Sequence, residues 1–175
     1  MLTFIFSLEG FLPTFVDLVI WGHEHESRIR PEFNPQQSFY VTQPGSSVAT
    51  SLSESEIAQK HVGILKIYKN NFKLNPTPLR TVRSFAMDHI TLKDHNITQT
   101  DKNIELKIEK ILIEKIDKMI AEIERNKFHC EKRPIKPLIR LKVDYTDFET
   151  INENRFAQKM LDKVANPRNV LQFHR

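Results

Sequence analysis

The sequence predicts a mixed α/β fold of the α+β kind, and three observations point to it. An unbroken apolar run, Phe15–Trp21, has the length and β-branched content of a strand and stops at Gly22-His23-Glu24-His25-Glu26. A second run, Leu138–Tyr145, alternates cleanly, with Ile139, Leu141 and Val143 on one side and Arg140 and Lys142 on the other. Between them, Ile104, Ile108, Ile111, Leu112, Ile116, Met119, Ile120 and Ile123 recur at helical spacing.

In chain order, Phe15–Trp21 is expected to be a buried strand. Ser27–Gln37, broken by Pro31 and Pro35, reads as a loop. Ser38–Thr42 is a short strand closed by the turn signal Pro44-Gly45, and Ser46–Ser51 is a further extended segment. Ser53 and Glu56 have the spacing of a capping box over a short helical turn. His61–Tyr68 alternates as a strand, and Asn70-Asn71 turns it back into Phe72–Leu74. An extended piece, Leu79–Leu92, leads into the second part of the chain.

There, Asp101 to about Phe128 forms an amphipathic helix with Glu105, Glu109, Lys110 and Glu114 on its outer face. The stripe is too short for four heptads, so packing on a sheet is expected rather than a coiled coil. Pro134 and Pro137 mark a loop before the 138–145 strand. Asn152 to about Val164 is a second helix with Phe156, Met160, Leu161 and Val164 inward, ended by Asn166-Pro167, and Val170–Phe173 is a last strand. A β-rich piece, 1–85, is thus followed by a small α+β piece, 86–175.

The chain carries 26 Lys and Arg against 22 Asp and Glu, a net charge of +4. Residues 1–100 hold nine of each, which leaves 17 basic and 13 acidic side chains, the whole surplus, in residues 101–175. A localised positive excess is compatible with a polyanionic partner. Cys130 is the only cysteine, which excludes an intrachain disulfide and fits a reducing compartment. No apolar run approaches a membrane span. Met1–Leu8 is apolar but lacks a basic n-region and a small-residue cleavage site, so it is a poor signal peptide.

Two constellations carry chemistry. On extended backbone, side chains two apart point the same way, so His23 and His25 can converge as imidazole ligands for manganese, zinc or iron. Glu24 then points away, Glu26 falls on the histidine side, and Gly22 leaves room for a turn beside the site. The location suits a ligand site, because open α/β sheets bind ligands beyond the carboxyl ends of their strands. A two-metal phosphoesterase needs more ligands than these, and no Asp-x-His, Gly-Asp-x-x-His or Gly-Asn-His occurs elsewhere. Asp88-His89 and Asp94-His95 are adjacent pairs whose side chains diverge, and His61 reads as structural.

The second constellation is basic: Lys127, Lys132, Arg133, Lys136, Arg140 and Lys142 cluster around one loop and the outer face of the next strand. They form either a solvated sheet face or a phosphate-neutralising patch. The absence of interleaved aromatics favours duplex backbone over single-strand readout.

The runs Phe15–Glu26 (FVDLVIWGHEHE), Phe39–Leu52 (FYVTQPGSSVATSL) and Lys60-His61-Val62-Gly63 carry a resemblance, as do Pro137–Tyr145 (PLIRLKVDY), Arg155–Lys159 (RFAQK) and Val164–Pro167 (VANP). From about residue 9 to the end the chain resembles the meiotic-recombination-eleven (MRE-eleven) family of double-strand-break repair nucleases in its eukaryotic form. Gly-His-x-His is shared by calcineurin-like metallophosphoesterases generally, whereas the downstream blocks are specific to this family.

The resemblance implies that residues 1–85 are the C-terminal part of a two-sheet metallophosphoesterase sandwich and residues 86–175 a DNA-binding cap. His23 and His25 match the family's last two metal ligands in a two-manganese centre. Its other ligands and its catalytic histidine would lie upstream of this chain. Met1–Leu8 departs from the family pattern, as a mis-assigned first exon or a truncated gene would produce. Implied with the family are 3′-to-5′ exonuclease and endonuclease activity and a nuclear place in break repair, recombination and meiosis. So are the partners: duplex DNA and its ends, a Rad-fifty ABC-type coiled-coil ATPase, a nibrin-type subunit and a second copy of the full-length chain.

Two expectations follow. Either the chain is part of a manganese-dependent nuclease, or these 175 residues are a non-catalytic module that binds DNA and partners. The first strand is expected in a sheet whose neighbours are partly missing, leaving apolar edges.

Overall fold

The strands of the described residues pair into three separate small sheets. The computed structural model describes residues 9–125 and 130–175; the expected helix end near Phe128, Lys127 of the basic cluster and the start Met1–Leu8 lie outside them. Two compact units emerge. One contains the chain to Thr50 together with Ala58–Leu79, and the other contains Ser51–Ile57 and Arg80–Arg175. The division between Leu79 and Arg80 falls a few residues before the 85/86 boundary drawn from sequence.

In the first unit, β1 (Leu18–Ile20), β2 (Arg28–Asn34) and β3 (Phe39–Gln43) form a sheet in the order β1-β3-β2. β1 runs parallel to β3, and β2 antiparallel to it. β1 is three residues long rather than seven and is not buried: Phe15 is 83% and Ile20 54% exposed. The reason is pairing. β1 has β3 on one side and no further strand on the other among the described residues, so its apolar side chains keep water contact. The expected apolar edge is present.

β2 corrects a second expectation, since it occupies the stretch read as a loop. Its register shifts between Arg28 and Glu32, and Pro31 sits in that irregularity. A residue with no N–H to donate is tolerated there, on an outer strand at a bulge. Asn34 ends the strand by accepting from the N–H groups of Gln36 and Gln37, an Asx-type turn that leads into β3.

β4 (His61–Tyr68) and β5 (Asn71–Pro78) form a hairpin turned at Lys69-Asn70, with Lys69 at φ +53°. The hairpin lies against β2: a Cβ on Gly63 would come within 2.9 Å of Leu74 Cδ1 and 3.3 Å of Ile29 Cδ1. Tyr40 links the layers, with its ring 5.3 Å from Phe72 and 5.2 Å from Phe33. Ser46–Ser51 forms no strand.

The second unit is a parallel three-stranded sheet, β6 (Phe85–Thr91), β7 (Leu138–Asp144) and β8 (Leu171–His174), in the order β6-β7-β8. Helix α1 (Ile104–Arg125) connects β6 to β7, and α2 (Glu153–Met160) connects β7 to β8. β7 alternates as expected, with Ile139, Leu141 and Val143 fully buried. They meet Ile108, Leu112, Ile116 and Met119 of α1 and Phe156 and Met160 of α2 in one core. Both helices therefore pack in the core on one face of the sheet, and Arg140 and Lys142 lie on the other.

Asn152 caps α2 by accepting from the Arg155 N–H. Asn166 bonds both backbone groups of Ile139, like a residue of an added strand. The turn at Glu54–Glu56 forms, but Ser53 makes no side-chain cap bond to it. Its hydroxyl is 2.9 Å from that of Ser51 and 3.0 Å from that of Ser55.

Glu109 departs most from expectation. It is 1% exposed, not part of a solvated face. Arg155 Nε and Nη2 donate to its Oε1 at 2.9 and 2.6 Å, and Lys159 Nζ donates to Oε2. Burial alone would raise the Glu109 carboxyl, but the bonds from Lys159 and Arg155 outweigh it and hold the group below the usual glutamate range.

Candidate functional site

The histidine pair follows β1 directly. Trp21 continues the ladder through its N–H to Thr42 O at 2.9 Å, and its indole donates to Glu9 Oε1 at 3.3 Å. Glu9, itself buried, also accepts from Asn34 Nδ2. The chain leaves the extended path at His23, where φ is +70°. Period-two alternation therefore does not govern the directions of His23, His25 and Glu26, and all three are exposed. Gly22 is not what makes room for the turn: a Cβ there would meet nothing within 4 Å, and the left-handed residue is His23 itself.

The glycine that the local geometry requires is Gly45. Its φ is +74°, and a Cβ would stand 2.6 Å from Glu26 O and 2.8 Å from His25 O. Around this contact the backbone of residues 25 and 26 is held on several sides. Ser46 N and Oγ donate to His25 O at 3.2 and 3.3 Å, and Lys60 Nζ reaches the same oxygen at 3.3 Å. Gln43 Nε2 donates to Glu26 O at 3.0 Å. Lys60 Nζ also donates to Ser46 Oγ at 3.1 Å.

The His25 ring shares a 2.6 Å hydrogen bond between Nδ1 and Thr50 Oγ1. A hydrogen bond at one ring nitrogen is what orients an imidazole that binds metal through the other. Two imidazoles are donors of the kind a divalent transition metal takes. Among the described residues, no group of three or more His, Cys, Asp and Glu side chains could hold an ion. Asp88 and His89 do not diverge fully. His89 Nδ1 lies 3.7 Å from Asp88 Oδ1, and Asp88 pairs with Lys115 of α1. Burial raises the Asp88 carboxyl, but the bonds from Lys115 and the His89 N–H outweigh it and lower it.

The basic cluster is not a row of free cations. Arg140 Nε donates to Gln172 Oε1 at 3.2 Å and Nη1 to Asn169 O at 2.9 Å, and Lys142 pairs with Glu54 at 3.0 Å. Lys136 Nζ donates to Leu161 O at 2.8 Å, and Arg133 Nε to Arg80 O at 2.7 Å. Lys132 is exposed. The structure also draws in two arginines absent from the sequence cluster. Arg83 Nη1 donates to Lys136 O at 2.5 Å, and the residue 80–84 segment runs beside the 132–137 loop, with Leu138 N bonded to Ser84 O. No local pattern announces this, because the two segments lie about 50 residues apart. Arg140 and Lys142 occupy the sheet face, whereas Arg80, Arg83, Arg133 and Lys136 gather at the amino ends of β6 and β7.

The second unit is thus an α/β layer, a parallel sheet with both helices in a core on one face and basic side chains of β7 on the other. Residues 72–175 match the family model described as the Mre11 DNA-binding presumed domain. The chain belongs to the Mre11 family of double-strand break repair proteins. It is 48% identical over 173 residues to the double-strand break repair protein MRE11 of Mus musculus and 46% identical over 173 residues to that of Homo sapiens. In both cases 97% of this chain and 24% of the relative are covered. It is 44% identical over 168 residues to the MRE11 of Oryza sativa subsp. indica, covering 94% of this chain and 23% of that protein. The chain therefore spans about a quarter of the length of the curated relatives it matches. No helix among the described residues is long and apolar enough to cross a membrane.

Proposed function

We propose that this chain is one part of a manganese-dependent DNA nuclease, contributing two imidazole ligands and a duplex-binding surface, and that these 175 residues alone bind DNA without cutting it. The observation that carries the reading is the fixing of His25. Its ring is held at Nδ1 by Thr50 and its backbone by Ser46, Lys60 and the contact with Gly45, as a ligand presented through Nε2 requires. His23 and His25 would hold one side of the metal centre, and the remaining ligands would come from other segments of the family's longer protein. Bound manganese would supply charge stabilisation at phosphoryl oxygens and an activated water. Within this chain the work is positional: Thr50 orients an imidazole, and Ser46 and Lys60 keep its backbone in place.

Exonuclease and endonuclease activity, a Rad-fifty-type ATPase and a nibrin-type subunit as partners, dimerisation and a nuclear location are proposed on family membership alone. The DNA contacts are proposed at Lys132, Arg133, Lys136, Arg140 and Lys142. The intramolecular partners of the last four mean that alanine variants there also disturb the sheet or its loops. A cleaner probe is Glu54→Gln, which removes the carboxylate on Lys142. Tighter duplex binding with a steeper salt dependence is expected, by up to about one counterion in slope. Unchanged binding would place the DNA surface away from Lys142.

For the metal, titration of manganese followed by electron paramagnetic resonance should show weak binding that His23→Ala and His25→Ala each reduce. Incubation of the chain with manganese and a linear duplex should yield no cleavage. Cleavage that depends on His23 would overturn the incomplete-site reading.

A further inference from the structure

The loop between α1 and β7 carries an exposed apolar residue among charged neighbours. Ile135 is 87% exposed, the highest value among the large exposed apolar side chains of the described residues. It is not on a loose strand. Pro134 and Pro137 restrict the backbone on either side. Arg83 Nη1 clasps Lys136 O at 2.5 Å, Arg133 Nε clasps Arg80 O at 2.7 Å, and Lys136 Nζ reaches Leu161 O at 2.8 Å. Arg133 N bonds to Cys130 O at 3.0 Å, and Pro137 O accepts from Ala165 N at 2.8 Å.

The result is a fixed finger with an isoleucine at its tip and the side chains of Lys132, Arg133, Lys136 and Arg83 around its base. Glu131 and Asp162 are the acidic neighbours, and Asp162 lies 3.7 Å from Lys136 and is fully exposed. Exposing an isoleucine on a preordered loop gains nothing for the fold, since apolar surface is stabilising only when removed from water. Proteins that enter the minor groove combine these two features: cations that follow the phosphates, and an apolar wedge placed between base steps.

We propose that Ile135 is a minor-groove wedge, inserted at a base step of duplex DNA while the surrounding Arg and Lys side chains hold the flanking phosphates. This rests on the DNA-binding role of the family and names the mode of contact. Two consequences distinguish it from a plain basic patch. Binding would unstack and kink the duplex, and it would favour flexible pyrimidine–purine steps.

The test uses the whole 175-residue chain and duplexes carrying 2-aminopurine beside a TA step, with anisotropy for affinity. Wild type should bind and raise the 2-aminopurine fluorescence. Ile135→Ala should lose that rise and weaken binding roughly three- to tenfold with an unchanged salt slope. Ile135→Met, which keeps an apolar wedge, should restore both. Lys132→Ala should instead lower the salt slope and keep the fluorescence rise. If Ile135→Ala binds and unstacks like wild type, the wedge is wrong while DNA binding stands, and the exposed isoleucine belongs to a protein contact. If wild type binds no duplex at all, the DNA reading itself fails and the wedge with it.

Discussion

The two units put their side chains to opposite uses. Among the described residues, the buried apolar side chains are almost all in the second unit; only Ile29 and Phe39 belong to the first. The buried polar ones are distributed the other way, with Glu9, Asn34, Thr42, Gln43 and Lys60 in the first unit and only Glu56 and Glu109 in the second. Phe11, Phe15, Ile20, Val62, Ile64, Ile67 and Tyr68 of the first unit remain at least 47% exposed. The second unit thus holds itself together by hydrophobic burial around β7. The first is organised by hydrogen bonds that fix one turn, and its apolar surface is left in contact with solvent.

The largest expected effect is on the core side of this contrast. Leu112→Ala, at a fully buried position, should destabilise the second unit by about 2–5 kcal/mol, read from urea unfolding followed by far-UV circular dichroism. Phe15→Ala, at an exposed one, should stay within about 0.5 kcal/mol and improve solubility. Equal effects would mean that the burial difference carries no energetic weight.

Next is the buried ion cluster. Glu109→Gln should cost about 1–3 kcal/mol, because Arg155 and Lys159 lose their shared anion. Since the folded Glu109 carboxyl titrates below its ordinary value, its contribution is fully present above the unfolded pKa, about 4.3. It is lost as pH falls from there through the lowered folded value. Asp88 acts in the same direction. Unfolding measured from pH 6 to pH 2 should therefore show stability falling with acid in wild type and less steeply in Glu109→Gln. Parallel curves would exclude the cluster as the cause.

In the first unit the corresponding lesion is at the backbone. Gly45→Ala adds a methyl group at a positive φ against Glu26 O, at an expected cost of about 1–3 kcal/mol. Trp21, the chain's one tryptophan, reports on this unit, and its fluorescence transition should shift while the second unit's ellipticity does not. The smallest effect is Asn152→Ala, which removes the α2 cap for about 1 kcal/mol. A cap loss that exceeded the Gly45→Ala loss would reverse the ranking of the two units.

Much of the second unit was legible along the chain. β7 is bounded within a residue of its alternating run, and the buried apolar residues of α1 all belong to the 3.6-residue stripe. Both patterns follow from neighbours a few positions away and from a single apolar face. The first unit was less legible. Phe15–Trp21 looks buried because the run is apolar, yet burial depends on what lies beside it. Arg28–Asn34 looks like a loop because of Pro31, yet a bulge on an outer strand accommodates proline. For the candidate site, sequence located His23 and His25 but assigned the backbone constraint to Gly22 rather than Gly45. It grouped the basic side chains by proximity along the chain, so Arg80 and Arg83 were left out.

By itself the sequence determined the identity of the imidazole pair, the helix and strand periods of the second unit, and the family. Those depend on residue type and on spacing within one element. Only the tertiary structure decided that Glu109 is buried against Arg155 and Lys159, which lie 46 and 50 residues away. The same holds for the support that His25 receives from Thr50 and Lys60, and for the anchoring of the Ile135 loop by Arg83. A charge is tolerated in a core, and an imidazole is aimed, only by partners that folding brings within hydrogen-bond reach, and those distances are not written in any local pattern.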